Sequence, residues 1–304
     1  MWRPLFFLLS ALACAAGPHV EVRSNEVWIV RDGRAQQVTS DGRAKLQAVL
    51  SPSTNRIAYY EQCPQSEDCL TSVVILDLEG RRLKAFHVMA GALSAPIACA
   101  SILEIWWLSE ASIASECHIN PSLNEYLETD LVTGKTIKDL LGYGFTASPN
   151  RKYVAHVGPI VHFSAPINQS NYLYIDKTPV YPFPKGVRPD GKEREVVRER
   201  GSRWIGVHEF VPKFVWSPDS EHIAFIDCVF DWIEKGMALN GGNPIGDETN
   251  RRCSIAVVAR TGQSELFPIG NTGNVKAIAM SISWDGPKRL SAQAGGTTRR
   301  FRIP

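Results

Sequence analysis

Phe214-Val215-Trp216-Ser217-Pro218-Asp219-Ser220-Glu221-His222-Ile223-Ala224-Phe225-Ile226 is the stretch on which the fold turns. An apolar run enters a Ser-Pro-Asp turn and a second apolar run leaves it. Serine at the first turn position can bond the backbone ahead of it. Proline next sets φ at about −65°, and Asp, Asn or Ser after it tolerates the bend. Apolar alternation on both sides predicts two antiparallel strands. The pattern recurs at residues 49–60 around Ser51-Pro52-Ser53 and at 145–155 around Ser148-Pro149-Asn150. Looser copies lie at 106–114 around Ser109 and at 282–290 around Ser283-Trp284-Asp285-Gly286-Pro287.

A second signal follows three of these copies. Val73-Val74-Ile75-Leu76-Asp77-Leu78-Glu79-Gly80, Tyr126-Leu127-Glu128-Thr129-Asp130-Leu131-Val132-Thr133-Gly134 and Ile255-Ala256-Val257-Val258-Ala259-Arg260-Thr261-Gly262 are β-rich runs closed by a glycine turn. The unit is strand, Ser-Pro turn, strand, loop, strand, Gly turn, strand. Four antiparallel strands per repeat make a propeller blade. The sequence therefore predicts an all-β chain, a single β-propeller domain over 17–304. The turns at Ser51, Ser109, Ser148, Ser217 and Ser283 give five blades, with six as the alternative. A blade takes about 40–45 residues, so the wider spacings predict insertions, placed at about 183–206 and 229–252. Strands at 27–30 and 36–39 read as the outer half of a blade whose first strands come from 277–303. That pairing would join the chain ends and remove exposed edges.

Trp216-Ser217-Pro218-Asp219 with Ile223-Ala224-Phe225 behind it, and Asp130-Leu131-Val132-Thr133-Gly134-Lys135, resemble the TolB-type, WD-like β-propeller repeats of bacterial exported proteins. The resemblance covers most of 27–290. Trp28-Ile29-Val30-Arg31-Asp32-Gly33 adds a match to an outer strand pair. It implies a periplasmic or extracellular location. It identifies an architecture and not an activity, since propellers host many functions. Strand signals begin at about Val20, with no separate α/β domain read before them, which departs from TolB itself.

The first residues fit export independently. Arg3 precedes an apolar run of about 12 residues (Leu5, Phe6, Phe7, Leu8, Leu9, Ala11, Leu12), short of the ~20 that a membrane-spanning helix needs. The small residues Ala13-Cys14-Ala15-Ala16-Gly17 follow. This is the layout of a signal peptide over 1–16. Ala11-Leu12-Ala13-Cys14 also fits a lipoprotein box loosely, which makes Cys14 a candidate lipid anchor. No other span is expected.

Six cysteines remain: Cys63, Cys69, Cys99, Cys117, Cys228 and Cys253. An even number in an exported chain predicts disulfides, and order alone leaves fifteen connectivities open. The repeat narrows them. Cys63, Cys117 and Cys228 each follow a second strand, while Cys69 and Cys253 each precede a third. Neighbouring strands would bring Cys63 to Cys69 and Cys228 to Cys253, leaving Cys99 with Cys117.

Charge gives little direction. There are 33 Lys and Arg against 31 Asp and Glu, which argues against nucleic-acid binding through bulk positive charge. No nucleophile elbow, metalloprotease motif, phosphate loop or dinucleotide fingerprint occurs, and no cofactor is expected. The seven histidines are scattered. Glu104 is the one acid in the expected innermost strands, and Glu61, Glu116 and Asp227 follow second strands. The expected function is a non-catalytic exported module that binds a protein or an envelope component. The candidate contacts are Arg198, Arg200 and Trp204 in the first insertion and Trp232 in the second. The alternative is a glycan- or lactone-acting hydrolase at a central channel mouth, which needs converging carboxylates.

Overall fold

The structure, a computed structural model, describes residues 17–61, 71–91, 97–99, 101–120, 123–158, 172–182, 198–199, 203–237, 244–270, 280–294 and 297–304. The expectations for 1–16, Cys14, Cys63, Cys69 and Arg200 lie outside the described residues. Every regular element among those described is a strand. Strands β1 (His19–Arg23), β2 (Glu26–Arg31) and β3 (Arg34–Gln37) form one sheet. Strands β4 (Lys45–Leu50), β5 (Arg56–Glu61), β6 (Ser72–Asp77) and β7 (Arg82–His87) form the next. A short pair follows, β8 (Met89–Ala90) with β9 (Ile97–Ala98). Seven strands then run in one ladder: β10 (Ser101–Ser109), β11 (Ser112–Asn120), β12 (Leu123–Asp130), β13 (Thr136–Ala147), β14 (Val154–Val157), β15 (Leu173–Ile175) and β16 (Thr178–Tyr181). Strands β17 (Arg198–Glu199), β18 (Arg203–Trp216), β19 (His222–Met237), β20 (Pro244–Ala259) and β21 (Ser264–Gly270) form a five-stranded sheet. Strands β22 (Met280–Gly286), β23 (Arg289–Ala294) and β24 (Thr297–Arg302) form the last. Within each sheet the strands follow chain order.

The Ser-Pro turns explain this regularity. In all three clear copies the serine is buried. Its Oγ accepts the backbone N–H five residues on: Arg56 to Ser51 at 3.2 Å, Tyr153 to Ser148 at 3.0 Å, His222 to Ser217 at 2.9 Å. Its own N–H donates to the carbonyl of that same residue at 2.9, 2.8 and 2.8 Å. The residue three on, Thr54, Arg151 or Ser220, stands left-handed at φ 55°, 62° and 65°. A buried hydroxyl thus satisfies the donor that the turn would otherwise orphan.

The repeat also sets how sheets meet. Trp107 donates its indole N–H to the carbonyl of Val49 at 3.2 Å, Trp216 to Thr146 at 2.9 Å, and Trp284 to Val215 at 2.9 Å. Each acceptor lies two residues before a turn serine on a strand of another sheet: β4, β13 or β18.

The chain divides into two compact units. The first holds β1–β7 and β10, and its core is Val27, Ile57, Tyr59, Val74 and Leu76, with Val20, Ala48 and Leu50 against them. The second holds β14–β24. Its largest cluster gathers Phe210, Phe214, Trp216, Phe225, Tyr181 and Leu173, and a further one gathers Ala224, Ile255, Val257, Leu290 and Ala292.

Three features depart from the sequence reading. The chain ends do not share a sheet: β1–β3 and β22–β24 are separate. His19–Arg23, and not the C-terminal stretch, supplies the strand beside β2. It pairs Val22 with Val27 and Arg23 with Glu26 around Ser24 and Asn25, at φ 50° and 67°, a two-residue hairpin turn with both central residues left-handed. Second, residues 229–237 and 244–252 do not fold back as a cap; they prolong β19 and β20. Third, β13 runs 12 residues without a break, flanked by β12 and β14. Gly142 permits this at φ 153°, where a Cβ would fall 2.1 Å from the Val157 carbonyl.

Candidate functional site

The second unit carries a ribbon. Strands β18, β19 and β20 contain 14, 16 and 16 residues, against 6 each in β5 and β6. At about 3.3 Å per residue, the ribbon extends roughly 30 Å further than an ordinary blade strand. Its register runs from Trp216 with Ile223 to Arg203 with Ile233, and on the other side from His222 with Ala259 to Met237 with Pro244.

Near the far end the structure brings sequence candidates together. Arg198 pairs with Trp204 in register, and Trp204 with Trp232. Ile205 and Ile233 are 42% and 38% exposed on this part of the ribbon, large apolar side chains facing solvent. Trp232 lies on Gly246, where a Cβ would meet its ring at 2.5 Å.

The base of the ribbon is polar and closed. Arg251 is buried over the Phe230 ring, 4.5 Å from its centroid, and holds Glu209 at 2.9 Å and Glu248 at 2.5 Å. Asp231 accepts the Gly206 N–H at 3.2 Å and the Asn250 side chain at 2.8 Å. Cys228 and Cys253 are register partners joined by a disulfide, with Cα atoms 4.0 Å apart. Cys99 and Cys117 are each disulfide-bonded as well.

One constellation here is illegible in the sequence. The Asp227 carboxylate is 2% exposed. Its Oδ2 accepts the Tyr181 hydroxyl at 2.7 Å and faces His208 Nδ1 at 2.8 Å. Phe210 and Phe225 pack against Tyr181, with ring centroids 6.0 and 5.8 Å away. Burial, and then the Asp227 charge and hydrogen bond, push the Tyr181 phenol up. Tyr181 is therefore a donor at any ordinary pH. A carboxylate oxygen only accepts, so His208 donates to Asp227 from Nδ1. This is the orienting half of a proton-transfer device.

The other acids weighed as catalytic are used locally. Glu61 pairs with Arg43 at 2.7 Å. Glu116 accepts the Asn124 amide at 2.6 Å, and His118 Nδ1 lies 3.1 Å from the Asn124 oxygen. Glu104 is exposed on β10, beside exposed Leu103, and its charge reinforces the burial that raises the Tyr60 phenol.

A cavity of about 300 Å³ lies elsewhere in the second unit, lined by Asp139, Leu140, His156, Tyr174, Asp176 and Lys177. Its charges are already matched: Lys138 with Asp176 at 2.8 Å and Lys177 with Asp139 at 3.2 Å. His156 is buried between Phe145 and Tyr174, with ring centroids 5.1 and 5.4 Å away.

No family model matches the chain, and no curated protein sequence matches it. Similar solved structures are β-propeller proteins. TolB from Acinetobacter baumannii is 15% identical at a TM-score of 0.34, over 84% of this chain and 64% of that one. The putative TolB from Agrobacterium tumefaciens is 11% identical at 0.35, over 84% and 80%. The β-propeller domain of the Trilobed protease from Pyrococcus furiosus is 11% identical at 0.41, over 94% and 81%. The chain spans about 64% of the length of the first.

Proposed function

We propose that the chain is an exported, non-catalytic module of β-propeller type that engages a protein or a cell-envelope component through the β18–β20 ribbon. The observation that carries this reading is the ribbon itself. It leaves the ordinary blade length with Ile205 and Ile233 exposed and Arg198, Trp204 and Trp232 in one register row. Aromatic and arginine residues are the usual anchors of recognition surfaces. Disulfide-bonded cysteines support an oxidising compartment, periplasmic or extracellular, and Cys14 remains the candidate anchor. No helix among the described residues is long and apolar enough to cross a membrane.

The test is a photo-reactive residue placed at Ile233 in the producing cells, with one at Val132, an 81% exposed turn residue, as control. Discrete adducts from position 233 alone, lost with Trp232→Ala, are expected. Adducts of equal yield from both positions, or from neither, would refute the ribbon as the contact. The hydrolase reading keeps one support, the His208–Asp227 pair. Ester, lactone or glycoside turnover abolished by His208→Ala would replace the binding reading; none is expected.

A further inference from the structure

The β22–β24 sheet has two unlike faces. Along β22 the side chains alternate: Met280, Ile282 and Trp284 are half-buried, while Ser281, Ser283 and Asp285 are exposed. Register carries that division across the sheet. Leu290, Ala292 and Phe301 continue the apolar side, which packs on Ala224, Ile255 and Val257. The other side is polar throughout the described residues: Ser281 pairs with Gln293, Ser283 with Ser291, Ser291 with Arg300, and Arg289 with Arg302. Middle strands elsewhere differ. Residues 57–60 of β5, 73–76 of β6 and 223–226 of β19 are apolar and buried on both sides. One face of β22–β24 is therefore built for something other than a neighbouring apolar sheet.

The same segment holds the chain's excess positive charge. Of 33 basic and 31 acidic residues, five and one lie in 280–304, so the other 28 and 30 leave the rest of the chain at a net −2. Arg289 and Arg302 are register partners on neighbouring strands, and both are exposed. Like charges directly opposite each other destabilise a sheet. Among the described residues neither arginine has an acidic partner. Arg300, two residues before Arg302 on β24, shares its face, and Lys288 stands exposed in the turn before Arg289. The one acid, Asp285, accepts the Ser291 hydroxyl and lies 3.8 Å from Arg300, whose side chain is 81% exposed. A merely solvated surface intersperses both signs. Here three arginines and a lysine surround one acid, in an arrangement that repels itself until an anion lies between its members.

We infer that the polar face of β22–β24 docks the chain on an anionic lipid surface. At about 4.8 Å between strands and 3.3 Å per residue, the face measures roughly 10 Å by 20 Å. A single small anion is held best in a concave site; a flat face with spaced cations suits many phosphates lying in one plane. The planar guanidinium fork matches a phosphate with two parallel hydrogen bonds, and each basic residue near an anionic membrane adds its own increment of attraction. Ser281, Ser283 and Gln293 offer neutral donors beside the arginines. This goes beyond the ribbon reading, which rests on the tryptophan row and exposed isoleucines of another sheet.

Co-sedimentation of the purified chain with vesicles is the test, phosphatidylglycerol mixed into phosphatidylcholine against phosphatidylcholine alone, over a salt series. Binding to the anionic vesicles is expected, declining as salt screens the charges. Arg289→Gln, Arg300→Gln and Arg302→Gln should each weaken it about fivefold, and the three together about 100-fold. Lys135→Gln, Lys152→Gln and Lys213→Gln together remove the same charge from exposed positions elsewhere and should weaken it no more than about twofold, since distant charges are screened. Arg302→Gln also separates docking from folding. It relieves the repulsion with Arg289, so the melting temperature should hold or rise while binding falls. Equal binding to the two kinds of vesicle, a triple arginine variant that binds like the wild type, or a triple lysine variant that loses as much would overturn the proposal. So would capture of soluble polyphosphate without binding to anionic vesicles, which would give the face to a dissolved polyanion. None of these results bears on adducts formed at Ile233.

Discussion

His156 shows how a buried titratable side chain couples stability to pH. Burial holds its imidazole below the ordinary histidine range, against the pull of the Asp176 and Val157 carbonyls and the Asp176 charge. In the unfolded chain it takes a proton below about pH 6.5; in the folded chain it resists. The unfolded state then binds more protons, so stability is fully present above that pH and declines as pH falls towards the lowered folded value. Melting temperature should drop between pH 7 and pH 5, and His156→Gln should flatten the drop. Parallel profiles for the two proteins would refute it. Tyr181 makes the complementary case at constant pH. Tyr181→Phe removes the hydroxyl that bonds Asp227 and should cost about 1.5–3 kcal/mol in urea unfolding, the worth of a hydrogen bond to a charged group. A cost below about 0.5 kcal/mol would mean that water replaces it. Asp227, His208 and Tyr181 are each visible in the sequence, but their meeting is not. His208 lies two residues from Phe210, the register partner of Asp227, so strand alternation puts them on one face. That register depends on two bulges, and Tyr181 arrives from another sheet.

Among elements, the Ser-Pro turn was the most legible, because its chemistry is local. The turn needs a small hydroxyl, a fixed φ and a residue that tolerates the left-handed region, and residues 217–222 supply all three. Ser217→Ala leaves the part-buried His222 N–H without its acceptor and should destabilise by about 1–3 kcal/mol; Asp219→Ala should cost less, since it leaves the Ser217 hydroxyl on the His222 N–H and loses only an exposed backbone bond from Glu221 and a part-buried one from Ser217. Equal costs would refute that assignment. Strand ends were less legible. Residues 229–252 hold Gly241-Gly242 and few alternating apolar positions, so no period marked the lengthening of β19 and β20. Cys228–Cys253 ties that hairpin at its base with 25 residues between. Loop closure of that size is worth roughly 3.5 kcal/mol. The ladder on both sides of the bridge constrains the same residues, so Cys228→Ala with Cys253→Ala should lower stability by less than this. A loss of roughly 3.5 kcal/mol or more would show that the bridge, and not the ladder, holds the hairpin.

At the scale of the whole molecule, the antiparallel strand-and-turn pattern was legible from Val49 to Ala259, while the division into sheets and the ends were not. A single strand signal at Val20 and Val22 is too short to outweigh the attraction of joining the termini, yet β1 is that strand. The tryptophan bonds that link one sheet to another also make the molecule report optically on itself. An indole emits according to what surrounds it. Trp216 and Trp284 are held with the N–H on a carbonyl of another sheet, so their emission should change when sheets part, before any strand is lost. Far-ultraviolet dichroism follows the strands instead. Where neighbouring repeats are joined mainly by nearest-neighbour contacts, the fluorescence midpoint in urea should precede the dichroism midpoint, and Trp284→Phe should remove part of that early signal. Coincident midpoints would mean that sheets separate and dissolve in one step. The same indoles would then time a single cooperative event, so the chain carries its own gauge of sheet separation without an added dye.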